Sequence, residues 1–78
     1  MIKTKDLLKK NKFKIIVKED SIYVNQFQRM INLEENHIYF TTLHKKIHIY
    51  GKEIKMKKLV DQEVLFMGLI DKIEVDDD

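Results

Sequence analysis

The chain predicts an all-β domain on three observations. Apolar and polar side chains alternate with period 2 from Phe13 onward. Turn-forming clusters recur roughly every 8–12 residues, and the runs between them are rich in β-branched and aromatic residues. The expected form is a small antiparallel meander, sandwich or partly open barrel of about six or seven short strands, preceded by a short N-terminal helix or arm.

Thr4 to Asn11 is the only helix candidate. Thr4 can cap it, Asp6 suits its first turn and Asn11 its end. Its only apolar residues are Leu7 and Leu8, so residues 1–12 read as a basic arm or a helix of a turn or two. Residues 13–75 read as one all-β domain and residues 76–78 as a solvated acidic tail.

Within the domain, Phe13, Ile15 and Val17 alternate with Lys14, Ile16 and Lys18, and Glu19-Asp20-Ser21 turns. Ile22 and Val24 alternate with Tyr23 and Asn25, and Phe27 leads on to Met30-Ile31. After the turn Glu34-Glu35-Asn36, Ile38 and Phe40 alternate with Tyr39 and Thr41. Ile47 and Ile49 then alternate with His48 and Tyr50. Gly51-Lys52-Glu53 reads as a hairpin turn leading to Ile54 and Met56. A last turn, Asp61-Gln62-Glu63, precedes the nearly all-apolar run Val64 to Ile70, broken by Gly68, where a bulge or a close backbone approach is expected. Val64 to Met67 offers apolar groups to both faces, as in a central strand covered twice or a strand with one face held for a partner.

With 78 residues, no Pro, two Gly and no Cys, the chain is one domain without disulfides or thiolate metal sites. A core this small is thin, which raises the weight of partner surface as compensation. The pI is near 8.8 although the net charge is only +2. The signs are segregated: Met1 to Lys18 holds seven Lys and one Asp, Lys45 to Lys58 six Lys and one Glu, and Asp61 to Asp78 seven acids and one Lys. Such blocks attract each other within a molecule or between neighbours. No apolar run has the length of a membrane span, and a cytoplasmic location is expected.

The segment Val24 to Val75 resembles the YabP/YqfC family of sporulation proteins of endospore-forming Firmicutes. The likeness lies in an ordered layout. Val24-Asn25-Gln26-Phe27 leads to the acid-opened strand Glu34 to Phe40. Ile47-His48-Ile49-Tyr50-Gly51-Lys52 has the form I-x-I-x-G-K, and Ile54-Lys55-Met56-Lys57-Lys58-Leu59 follows. Val64 to Ile73 has the form V-L-x-x-G-x-I-x-x-I. Where family members turn with a Gly before the I-x-I-x-G strand, this chain has His44-Lys45-Lys46. The resemblance implies a small protein made during sporulation, needed for spore development and acting without catalysis; it brings no catalytic residue and no cofactor.

The residues themselves offer little chemistry. His44 and His48 would lie about 13 Å apart along one strand, too far to share a metal without a bend, even with His37 or Glu35 nearby. The carboxylate pairs Glu19-Asp20 and Glu34-Glu35 sit in turns rather than in a concave site. Ser21, Thr41 and Thr42 lack a nucleophile elbow, and two Gly cannot build a phosphate-cradling loop. Neither an enzyme nor a cofactor or small-molecule substrate is expected.

The leading expectation is therefore an interaction or assembly module with a protein partner or a second copy. Its candidate surface is Tyr39, His48 and Tyr50, with Leu65 and Met67 as a second patch that reads equally as core. The alternative is a small basic β-domain binding single-stranded nucleic acid. It would use Lys45, Lys46, Lys52, Lys55, Lys57 and Lys58, with Tyr39, Phe40 and Tyr50 as stacking platforms. Gly51 and Gly68 are expected to be structural.

Overall fold

The structure is a computed structural model, described here for residues 12–77. The expected N-terminal helix or arm lies outside these residues, apart from Lys12. Six antiparallel strands form one open sheet: β1 (Ile15–Lys18), β2 (Ser21–Val24), β3 (Phe27–Glu34), β4 (His37–Thr42), β5 (Lys45–Val60) and β6 (Glu63–Asp77). Their order across the sheet is β1-β2-β6-β5-β4-β3.

Two-residue turns join four of the hairpins. Lys18 pairs with Ser21, Glu34 with His37 and Val60 with Glu63, so Glu19-Asp20, Glu35-Asn36 and Asp61-Gln62 are the loops. Asp61 and Gln62 have φ of 51° and 66°, the doubly left-handed conformation whose twist matches that of antiparallel strands. The fourth loop, Leu43-His44, is clipped by buried Thr42, whose Oγ1 accepts from the Lys45 amide at 3.0 Å.

Gly51 does not turn a hairpin. It lies inside β5, which runs unbroken for 16 residues, and β6 runs alongside for 15. What reads as a turn is a bend shared by both strands. The ladder between them shifts register between Tyr50 and Gly51, between Lys52 and Lys55, and between Met56 and Lys58. Glu53 takes a φ of 53° within the bend. The backbones approach closely there: a Cβ on Gly51 would lie 1.9 Å from the Leu69 carbonyl oxygen. One on Gly68 would lie 2.6 Å from the Glu53 carbonyl oxygen, and Gly68 has a φ of 151°. The close approach expected at Gly68 is present, with Gly51 as its counterpart.

The bend turns one sheet into two facing layers. Residues 45–52 of β5 and 69–77 of β6 form a first layer with β4 and β3; residues 55–60 and 63–67 form a second with β2 and β1. Ile38, Phe40, Ile47 and Ile49 from the first layer meet Ile22, Val24, Val64 and Phe66 from the second, with Ile54 at the bend. Phe40 and Phe66 lie on strands that are not neighbours in the sheet, yet their ring centroids are 5.5 Å apart across the interior.

Two local devices complete the fold. In β3, register shifts between Phe27 and Arg29 and between Met30 and Asn32 stretch the inward period from two to three, so Phe27, Met30 and Leu33 face the core. Between β2 and β3, buried Asn25 fixes the approach to β1: its Oδ1 accepts from the Lys14 amide at 2.6 Å and its Nδ2 donates to the Lys12 carbonyl at 2.7 Å. At the other end, Asp76 and Asp77 are solvent-exposed, as expected of an acidic tail, but they are in strand. They belong to β6, in register with Lys46 and Lys45, and Lys45 forms an ion pair with Asp77.

Candidate interaction surfaces

On the outer face of the first layer the register places His37 opposite Tyr50 and Tyr39 opposite His48, with Asn32, Lys72 and Glu74 beside them. Tyr39, His48 and Tyr50 are thus brought together, and His37 joins them. It sits two residues before Tyr39 in the same alternation, the one signal that would have included it. The Tyr39 and His48 rings stack at 4.0 Å, and His37 and Tyr50 at 4.7 Å. His37 and His48 are parallel within 2° but lie edge to edge, Nε2 of one 2.9 Å from Nδ1 of the other.

The proton order along this row follows from Asn32. Its Nδ2 donates to the His37 carbonyl at 2.9 Å, which marks it as the amide nitrogen, and it also lies 3.2 Å from His37 Nδ1. That ring nitrogen must therefore accept, so His37 carries its hydrogen on Nε2 and donates to His48 Nδ1. At the β6 side, Lys72 lies 5.5 Å from the centre of the Tyr50 ring and 3.5 Å from Glu74. Partial burial first, then a hydrogen bond to Glu74 and its charge, push the Tyr50 hydroxyl above the usual tyrosine range. The same bond, with Lys72 next, holds Glu74 below the usual carboxylate range. The row is an internally bonded ladder in which each ring stacks one face on a neighbour.

The second patch lies on the other side of the molecule. Val64 and Phe66 supply the core, whereas Leu65 and Met67 point outward, opposite Tyr23 and Ser21 of β2 and Lys58 and Lys55 of β5. A groove of about 280 Å³ beside Leu65 is lined by Tyr23, Lys58, Val60 and Glu63, and the Tyr23 hydroxyl bonds to Glu63. That bond, ahead of burial and the Glu63 charge, raises the Tyr23 hydroxyl.

The six lysines of the expected basic patch do not all gather in one place. Lys45 and Lys46 stand at the far end of the first layer, Lys52 in the bend, and Lys55, Lys57 and Lys58 on the second layer. Phe40 is no stacking platform, because it is wholly buried between the layers. His44 lies in the loop before β5 rather than in strand with His48. Among the described residues no three His, Asp or Glu side chains are placed to share a metal, and no helix is long and apolar enough to cross a membrane. No family model, curated protein or solved structure matches the chain.

Proposed function

We propose that this protein is a non-catalytic assembly module that works by self-association or by binding a protein partner. One observation carries the reading. Five apolar side chains occupy core-facing register positions and are nevertheless exposed: Val17 opposite Ile22, Leu33 opposite Ile38, Met56 opposite Phe66, Leu59 opposite Val64 and Val75 opposite Ile47. Their exposures run from 38% to 52%, while every residue opposite them is fully buried. They lie along the flanks where the two layers part, so the open sheet leaves part of its own core face to be covered by another surface.

Single-stranded nucleic acid is less well supported, because the lysines are split between the two layers and each ring of the outer row already stacks one face on a neighbour. A cytoplasmic setting is suggested by the Cys-free composition, and the timing, during spore formation, rests on the resemblance of Val24 to Val75 to the YabP/YqfC family. Light scattering over a range of concentrations tests the assembly reading, with mass above one chain expected. A strictly monomeric protein that binds oligonucleotides with a steep salt dependence would replace it with the nucleic-acid reading. Expression confined to sporulating cells is the expected result for the setting; expression unrelated to sporulation would remove it.

A further inference from the structure

We infer that the second copy is received at one particular edge: β1 of one molecule adds as a strand to the free edge of β6 of the next, in a head-to-tail contact. This deepens the assembly reading and rests on it.

Both edges are open among the described residues. β1 ends the sheet and pairs only with β2. β6 pairs with β2 through residues 64–67 alone, and Gly68 donates to the Asp20 carbonyl. From Leu69 to Asp77 only the β5 side of β6 is paired. An unpaired strand edge of this length is a template for another strand.

Complementarity is concentrated where the chain enters β1, over residues 12–15, against residues 73–76 near the end of β6. In antiparallel register with Lys14 opposite Glu74, Lys12 falls opposite Asp76, both pairs on the outer face. The same register sets Phe13 opposite Val75 and Ile15 opposite Ile73 on the face that continues the core. The outer position of Glu74 and the inner positions of Ile73 and Val75 follow from their β5 partners His48, Ile49 and Ile47. Phe13, Ile15 and Ile73 already pack against the core, and the half-exposed Val75 would be covered. Oppositely charged cross-strand pairs favour a register that like charges would oppose. The wider charge agrees, with seven Lys and one Asp in Met1 to Lys18 against seven acids and one Lys in Asp61 to Asp78.

The other open edges are less suited to a second strand. β3 carries two register shifts, and residues 55–60 of β5 carry another, with three lysines and no acid to meet the lysines of an incoming β1. Bulges keep an edge from pairing, and like charges placed opposite each other oppose it. The contact joins two different surfaces, so each added copy leaves one β1 and one β6 edge unfilled, and growth proceeds beyond a dimer to a ring or filament.

The test uses the full chain in sedimentation velocity over a concentration series, with two charge-reversed variants: K12E/K14E and E74K/D76K. The wild type should form species larger than dimers that shrink as salt rises. Each variant alone should associate roughly a hundredfold more weakly, because it places like charges opposite each other. An equimolar mixture should regain assembly with the two variants in equal amounts, since each then offers what the other needs. Hydrogen exchange on the wild type provides a second readout that needs no variant: amides of residues 72–77 should gain protection as concentration rises. Wild-type assembly with both variants associating equally well, or with protection appearing at β3 instead, overturns these edges and leaves self-association standing. A wild type that stays a single chain at every concentration overturns both.

Discussion

His37 donates through Nε2 to Nδ1 of His48 at 2.9 Å, and the direction of that bond is set by Asn32 on the neighbouring strand. Each imidazole therefore accepts at Nδ1 and carries its hydrogen on Nε2 while the row is intact. Long-range nitrogen–proton correlation spectra distinguish the two tautomers directly. Replacing Asn32 by Leu should free His37 Nδ1 and let the two tautomers mix. A single Nδ1–H tautomer at His37 in the unaltered protein would contradict the assignment.

At the crossing of the long strands, Gly51→Ala and Gly68→Ala should each destabilise the fold by about 2 kcal/mol or more, since an added methyl meets backbone rather than a yielding side chain. For Gly68 the backbone conformation adds to the cost. Chemical denaturation measures both, and an unchanged midpoint for either variant would mean that the strands can separate at little cost.

The opposite sign is expected at the last hairpin. Gln62 holds a φ of 66°, where a side chain is unfavourable and glycine is not. Gln62→Gly should stabilise the protein by about 1 kcal/mol, read as a higher denaturation midpoint with an unchanged slope.

Buried Asn25 makes both of its side-chain bonds to the chain leading into β1. Asn25→Leu should cost about 1–3 kcal/mol by leaving the Lys14 amide and Lys12 carbonyl without partners. Faster hydrogen exchange at Lys14 and along β1, with β4 unaffected at first, would identify the loss as local.

The titrating groups set the limits of the pH range. Glu74 and Asp77 are held low in the fold, Glu74 first by Tyr50 and Asp77 first by Lys45. Their contribution is present above the ordinary carboxylate range and is lost as pH falls through their lowered values. Tyr50 and Tyr23 are raised, so theirs is present below the ordinary tyrosine range and is lost as pH rises through their raised values. Stability against pH should therefore be a plateau falling at both ends. Tyr50→Phe should soften both limits by removing the Glu74 bond.

Much of this architecture was legible in the alternation of residues. Ile22, Val24, Ile38, Phe40, Ile47, Ile49, Val64 and Phe66 all stand at the inward positions of period-2 runs, and all are buried. Tyr39, His48 and Tyr50 stand at the intervening positions and share the outer face. Period alone could not tell a turn from a bend at Gly51, because glycine serves both and the apolar phase resumes on either side. Nor could it find the bulges of β3, where an extra residue shifts the phase and turns Met30 and Leu33 inward. The dispersal of the lysines has the same origin: residues close in sequence along β5 separate once the strand passes from one layer to the other.

The crossing at Gly51 and Gly68 also bears on how the chain reaches its native state. Each layer borrows half of β5 and half of β6, so neither can be excised and neither has a complete set of strands until both long strands are in place. Productive folding then runs through the β5–β6 hairpin, whose ends Lys45 and Asp77 are separated by nearly half the chain. A hairpin of this length zips outward from its turn, so the Lys45–Asp77 end pairs last. Until the hairpin forms, β4 has no neighbour on its β5 side and β2 none on its β6 side, so the nascent chain exposes the same kind of strand edge that the finished protein keeps at its flanks.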